Sequence, residues 1–313
     1  MNFRPAVRVL SYTTIIATIV VGTSCDAPGA AWTREGVSVP RVFAPGIIST
    51  AEREYGITFA PDGSEAYFTR RARRGSPRIF VSLFEGDVWT EPTPAPFSTD
   101  RDEAPFITSD GSRMLFSSRR PARGSRDRSE NIWVTERSGE GWADPVPLAG
   151  SVNQPRSEVE DFTTGTELGP IVVDNGSLLY WTRVDPDWGS DIYVADLDED
   201  GSYVNPRPLR INSVGDETNP AMSPDGQYLI FQGYRDASGF GEQDLYVAHR
   251  TEHGWSNARL LPEPINSAGS DGYPSFSPDG RLFFFASDRG MRGGSYDIYY
   301  VDFTALRLGA SVP

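Results

Sequence analysis

A segment of the form Ser-Pro-Asp-Gly, preceded by a short extended run and followed by an apolar stretch ending in arginine, recurs along this chain of 313 residues. It is near-identical around Asp225 and Asp279 and looser around Asp62, Asp110 and Asp174. The Asp-to-Asp spacings are 48, 64, 51 and 54 residues. Periods of this size mark solenoids and propellers, in which each repeat is one supersecondary unit that buries its apolar face against its neighbours. The content of the unit then decides the architecture.

One period reads as four short strands. In the last copy, Tyr273–Pro278 is a short extended run and Asp279-Gly280 is a tight turn. Leu282–Ser287 is rich in aromatics that suit a pleated surface. After a glycine-rich loop, Asp297–Val301 gives a third strand, echoed by segments beginning at Asp244, Asp191, Asn131 and Arg78. A fourth follows a Gly-Trp turn, as at Gly254-Trp255 and Gly141-Trp142. No segment outside the N-terminus sustains a helical period. The predicted fold is therefore all-β, a β-propeller of four-stranded antiparallel blades. Five copies predict five blades, with Arg41–Phe43 supplying the outer strand of the last blade and closing the ring. Six blades is the alternative, if the insert between Val152 and Leu168 holds degenerate strands.

The run Pro-x-Phe-Ser-Pro-Asp-Gly, an apolar strand and then Ser-x-Arg resembles the TolB-type, WD-like propeller repeat of bacterial envelope proteins. The resemblance covers about residues 40–303. Asp225 and Asp279 carry the full motif, Asp62 and Asp110 carry Ala-Pro-Asp-Gly and Thr-Ser-Asp-Gly, and the third copy departs to Val-Asp-Asn-Gly. Glu263–Phe276 also resembles the propeller part of proteins with a C-terminal peptidoglycan-binding, OmpA-type domain. The sequence ends at Pro313, so a second domain of that kind is expected to be absent and peptidoglycan binding is not carried over. The resemblance implies an envelope protein that binds other molecules.

Residues 1–24 have the layout of a secretory signal: Arg4 and Arg8, an apolar stretch through Ile15–Val21, then small residues. That stretch is too short for a comfortable membrane span. Cys25, the one cysteine, stands where a lipoprotein signal places its lipidated residue, although Gly22 departs from the usual Leu or Val. The expected layout is a signal at 1–24, a linker at 25–40, the propeller at 41–304 and a tail at 305–313. The protein is expected to be exported to the periplasm or cell surface, tethered to a membrane through lipid on Cys25, and monomeric.

Composition excludes several chemistries. With Cys25 spent, no thiol remains for disulfides or nucleophilic attack. All 29 basic residues are arginine, so lysine general bases and Schiff bases are excluded. The two histidines, His249 and His253, share a hairpin, which serves neither a zinc site nor a Ser-His-Asp triad. A net charge of −14 argues against nucleic acid as a partner. Asp196, Asp198 and Asp200 before Gly201 match the start of a calcium loop. Arg207 and Val204 stand where further ligands belong, so the segment reads as a hairpin and no metal or other cofactor is assigned.

Propeller geometry puts three sets of charges on one face. Before strand one stand Glu52, Glu54, Asp102, Glu103, Glu158, Glu160, Asp161, Asp216, Glu217 and Asp271. Arg71, Arg119, Arg183, Arg235 and Arg289 end strand two, and Asp191, Asp244 and Asp297 open strand three. Each arginine is expected to fork onto the Asp that opens strand three of its own blade. That would leave the acids before strand one repelling one another unless a cationic partner sits among them. Arg70–Arg74 and Arg119–Arg128 form a basic patch, either a solvated loop or a site for a phosphate or uronate group.

Two functions follow. The favoured one is a non-catalytic binding or scaffolding protein holding a protein segment or cell-wall component at this face. The other is a carbohydrate-active hydrolase or lyase using carboxylates around the channel. Acids that repeat blade by blade speak against the second, because catalysis needs unequal environments.

Overall fold

The computed structural model describes residues 36–99, 101–121, 130–139, 141–153, 166–184, 189–235, 239–290 and 295–309. Antiparallel meanders make up nearly all of it. An opening strand β1 (Arg41–Val42) precedes the first meander, β2 (Arg53–Phe59), β3 (Glu65–Arg71) and β4 (Arg78–Glu85), whose outer edge is β5 (Val88–Trp89) and β6 (Thr93–Pro94). The second is β7 (Asp102–Ile107), β8 (Arg113–Ser118) and β9 (Asn131–Ser138), edged by β10 (Gly141–Trp142) and β11 (Val146–Pro147). The third is β12 (Leu168–Val172), β13 (Leu178–Arg183), β14 (Ser190–Leu197) and β15 (Tyr203–Pro208). The fourth is β16 (Asp216–Met222), β17 (Tyr228–Tyr234) and β18 (Asp244–Thr251), edged by β19 (Gly254–Trp255) and β20 (Arg259–Leu260). In the fifth, β21 (Asp271–Phe276), β22 (Leu282–Ser287) and β23 (Asp297–Asp302) are followed in space by β1, with Arg41 opposite Tyr300 and Val42 opposite Tyr299.

The Asp-Gly repeat is the turn between the first and second strands. The glycines have φ between +67° and +82°, a region open to glycine at little cost. The acid or amide before each accepts the N–H two residues on: Asp62 from Ser64, Asp110 from Ser112, Asn175 from Ser177, Asp225 from Gln227 and Asp279 from Arg281, all at 3.0–3.1 Å. These are Asx turns. The motif is thus structural, and in the third copy its turn residue is Asn175 rather than Asp174.

Apolar side chains fill the spaces between consecutive meanders. Tyr67, Ile79, Met114, Phe116 and Trp133 pack between the first and second, and Leu229, Phe231, Ile192 and Tyr246 between the third and fourth. Between the fifth and first lie Phe284, Ile298, Phe59, Phe68 and Phe43, whose ring meets Phe284 edge-on at 5.1 Å. The loop entering each meander is clasped by a side chain that completes the neighbouring third strand. Asn266 accepts from Leu245 N–H at 2.8 Å and donates to its carbonyl at 3.0 Å, and Asn212 and Asn153 do the same for Ile192 and Ile132.

Every first strand also has a bulge, with one residue in the left-handed region: Gly56, Ala104, Gly169, Asn219 and Tyr273. A bulge turns the strand and re-aims its side chains. Below it, the five first strands line a common cavity of about 590 Å³, whose wall includes Pro105, Pro170, Pro220 and Pro274.

Candidate functional site

The strand registers align the charged ends of the meanders. Glu54, Arg70 and Arg78 lie side by side across the first. Asp102, Ser118 and Asn131 do so across the second. The fourth has Glu217, Gly233 and Asp244, and the fifth has Asp271, Ser287 and Asp297. In each, two strand spacings, about 10 Å, separate the first-strand acid from the third-strand residue. One arginine cannot serve both.

The arginines choose the inner acid. Arg70 meets Glu54 at 2.9 Å, Arg235 meets Glu217 at 2.7 Å, Arg289 meets Asp271 at 2.6 Å, and Arg120 pairs with Asp102. All four carboxylates are fully buried. Each also accepts a backbone N–H and a hydroxyl from the entering loop, as Glu217 does from Ser213 and Glu54 from Thr50. The guanidinium lies over aromatic rings, Phe231 and Tyr246 for Arg235 and Phe285 and Tyr299 for Arg289. It also donates to loop carbonyls: Arg70 to Ile47, Arg120 to Phe97, Arg235 to Ile211 and Arg289 to Ile265. Carboxylate, guanidinium, ring and loop form a latch that repeats in four meanders.

This corrects the expected pairing on three points. Arg235 and Arg289 do not fork onto Asp244 and Asp297, because the aromatic shelf and loop carbonyls draw the guanidinium inward. The latch residues of the first two meanders are Arg70 and Arg120, not Arg71 and Arg119; Arg119 pairs instead with Glu130. In the third meander Val184 stands where the latch arginine would, and Arg183 is exposed at the rim. Asp102, Glu217 and Asp271 are therefore interior, already neutralised groups rather than a free acidic ring. Sequence reading missed this because the latch arginine sits directly opposite the inner acid in one copy and two residues beyond that position in three others.

Four carboxylates are left over, Asp191 and Asp216 half-buried and Asp244 and Asp297 buried. Asp191 is pushed up to about 6 by burial and by the charge of Glu217, against a hydrogen bond from Asn212. Burial also raises Asp216, against hydrogen bonds from Ser190, and Asp297. It raises Asp244 too, whose Oδ2 accepts from Phe240 N–H at 2.9 Å while its Oδ1 is buried with no hydrogen bond. No described residue forms a salt bridge with any of these four. Desolvated carboxylates that lack an ion pair among the described residues favour the approach of a cation.

Glu103 has a separate place. It follows the latch acid and accepts from the Tyr55 hydroxyl at 2.9 Å; Tyr55 in turn packs on Tyr273 at 4.5 Å. These residues join three first strands just above the cavity. Burial raises the Glu103 carboxyl, opposed by the Tyr55 hydrogen bond. Asp110 and Asp174 reach the cavity at its turn end, and hydrogen bonds from Thr108 and Ser112 hold Asp110 down at about 2.

In the calcium-like hairpin, Arg207 holds Asp196 through two bonds of 2.8 and 2.9 Å, and Asp198 accepts from the N–H groups of Asp200 and Ser202. Among the described residues, no group of three or more His, Cys, Asp or Glu side chains is arranged to hold a metal. Cys25, Glu158, Glu160, Asp161 and Trp188 lie outside the described residues.

No family model matches the sequence, and no curated protein matches it. Among solved structures, the chain is similar to TolB from Agrobacterium tumefaciens, with 19% identity, a TM-score of 0.51, and 82% of this chain and 79% of that one covered. It is similar to TolB from Acinetobacter baumannii at 16% identity and a TM-score of 0.50, covering 80% of this chain and 55% of that one, so it spans about half of that protein. It is also similar to an arabinanase from Bacillus subtilis at 15% identity and a TM-score of 0.51, covering 81% and 95%. What these likenesses show is the fold: an all-β propeller fold of antiparallel sheets, found in TolB proteins and in an arabinanase alike.

Proposed function

We propose that the chain is a five-bladed propeller, closed by β1 as the outer strand of its last blade, that acts as a non-catalytic binding scaffold of the cell envelope. Its exported, lipid-anchored state rests on the signal-like N-terminus and Cys25. The observation that carries the binding role is the set of four unlatched carboxylates, Asp191, Asp216, Asp244 and Asp297, at one end of the third, fourth and fifth meanders. They fit a cationic segment of a protein partner or a cationic cell-wall group, which would offset the cost of their desolvation. The test is site-specific photocrosslinking in cells. A crosslinker at the exposed Tyr234, next to Arg235 and paired with Asp216, should capture a partner. One at Val88, in the hairpin at the far end of the first meander, should not. Absence of an adduct from Tyr234, or equal capture from both, would sink the assignment.

A carbohydrate-active enzyme is the second reading, favoured by Glu103 alone, a carboxyl raised by burial above a sizeable cavity. Glycoside hydrolysis needs a second carboxylate opposite the first. Two carboxylates reach the cavity, both at its turn end: Asp110, which is committed to its turn, and Asp174. Turnover of an oligosaccharide that Glu103→Gln abolishes would reinstate the enzyme.

A further inference from the structure

The junction between the first and second meanders carries a net positive charge that the same place has at no other junction. At each junction a backbone N–H at the start of a first strand, or its pairing partner, meets the residue just before the third strand of the preceding meander. Arg101 donates to Pro77, Glu167 to Glu130, Asp271 to Gln243 and Glu54 to Tyr296, while Asp216 pairs with Ser190. Two positions flank each of these contacts: the residue opening the third strand and the one before the inner acid. They are Asp191 with Asp216, Asp244 with Ser270, Asp297 with Arg53, and Asn131 with Thr166. Only between the first and second meanders are both arginine, Arg78 and Arg101. The repeat does not require arginine there: the position of Arg78 is Asn or Asp in every other copy, and that of Arg101 is Asp, Ser or Thr in three of the four others.

These two arginines line a polar cleft of about 510 Å³ with Arg119, Arg120, Ser76 and Thr99. Two of the four guanidiniums are matched, Arg119 by Glu130 and Arg120 by Asp102. The other two are not. No described residue forms an ion pair with Arg101, which is exposed and held at φ +69°, a left-handed backbone disfavoured for any residue but glycine. Arg78 donates to the Ser98 carbonyl at 2.9 Å, while its Nε is buried without a hydrogen bond. Among the described residues the cleft thus holds two positive charges without an ion pair, with planar donor forks and hydroxyls beside them, on a chain whose net charge is −14.

We infer that this cleft binds a phosphate group, whose two negative charges and several acceptor oxygens match the guanidiniums of Arg78 and Arg101 and the neighbouring hydroxyls. A carboxylate, with one charge and one face, would satisfy only one fork. The group is either free phosphate or a phosphomonoester carried on a small molecule.

Calorimetric titration of the whole protein with inorganic phosphate tests this, with glycerol 3-phosphate, sulfate and acetate in parallel. Arg101→Ser and Arg78→Asn install residues that other meanders carry at these positions. Phosphate and sulfate should bind, acetate roughly tenfold more weakly or not at all, and the double variant should lose about tenfold or more in phosphate affinity at an unchanged Tm. Arg101→Ser alone should lose several-fold, which keeps the test intact if Arg78→Asn unfolds. Tighter binding of glycerol 3-phosphate than of phosphate would identify an organic monoester, and equal binding the free ion. No saturation by phosphate up to about 10 mM, acetate binding equal to phosphate, or full affinity in Arg101→Ser would overturn the assignment.

Discussion

Removing one latch arginine should be among the most damaging single changes outside the apolar core. Arg235→Ala strands Glu217, a fully buried carboxylate, without its guanidinium partner at 2.7 Å. Breaking a buried ion pair from one side costs about 3–5 kcal/mol. Loss of the contacts to Phe231 and Tyr246, at 5.3 and 5.4 Å, adds about 0.5–1 kcal/mol each. The Ser213 N–H and hydroxyl remain on the carboxylate and offset part of this, leaving a net loss of about 3 kcal/mol. For a chain of this size that is roughly 6–12 °C in Tm. Glu217→Gln in the Arg235→Ala background should recover about 1–2 kcal/mol, because a neutral amide costs less to bury than an unpaired charge. The assay is a double-mutant cycle by thermal and urea unfolding, with Arg183→Ala as control. Arg183 is exposed and holds no latch, so its loss should cost under about 0.5 kcal/mol. A loss below about 1 kcal/mol for Arg235→Ala, or a coupling near zero between Arg235 and Glu217, would refute the latch as an energetic unit.

Asp191 sets a pH dependence of defined sign. Its folded pKa of about 6 lies above the ordinary 3.8, so its ionisation destabilises the fold as pH rises from about 4 through 6. Asp191→Asn should therefore gain roughly 1 kcal/mol above pH 6, a value discounted for partial exposure. The gain should vanish towards pH 4, as read from Tm against pH. Gly280→Ala should cost about 1–2 kcal/mol in urea unfolding, since Gly280 sits at φ +70° and a Cβ there would lie 3.0 Å from Pro224. Deleting residues through Gly46 removes β1 and Phe43 from beside Tyr300 and Phe284. The truncated chain should unfold or aggregate, and a Tm equal to the full-length value would count against closure by β1.

The strands and their turns were readable because each rests on local chemistry repeated along the chain: Asx turns at Asp-Gly, aromatic second strands, Gly-Trp hairpins. The charged face was readable only as a location. Counting along the sequence put Arg235 near both Glu217 and Asp244. The choice between them depends on the rings of Phe231 and Tyr246 and the carbonyl of Ile211, which come together only through pairing and loop packing. The functional candidates came from what that choice left over. Asp191 and Asp216 are unlatched because the guanidiniums went elsewhere. Arg78 and Arg101 are 23 residues apart, and no local motif joins them. Comparing equivalent positions of the repeats would have flagged Arg78, since Asn131, Asp191, Asp244 and Asp297 open the other third strands.

The division of the acids into latch and binding groups is open to one direct comparison. A variant with Asp191, Asp216, Asp244 and Asp297 all changed to Asn is set against Arg235→Ala, with Tm and calorimetric binding of an oligoarginine peptide measured for both and for the parent at low and high salt. The Asn variant should keep or raise its Tm while losing about tenfold or more in peptide affinity, and the parent's affinity should fall with salt. Arg235→Ala should lose Tm but, while folded, retain the peptide. An Asn variant that binds the peptide as the parent does, or that melts as early as Arg235→Ala, would contradict the assignment of these four carboxylates to binding.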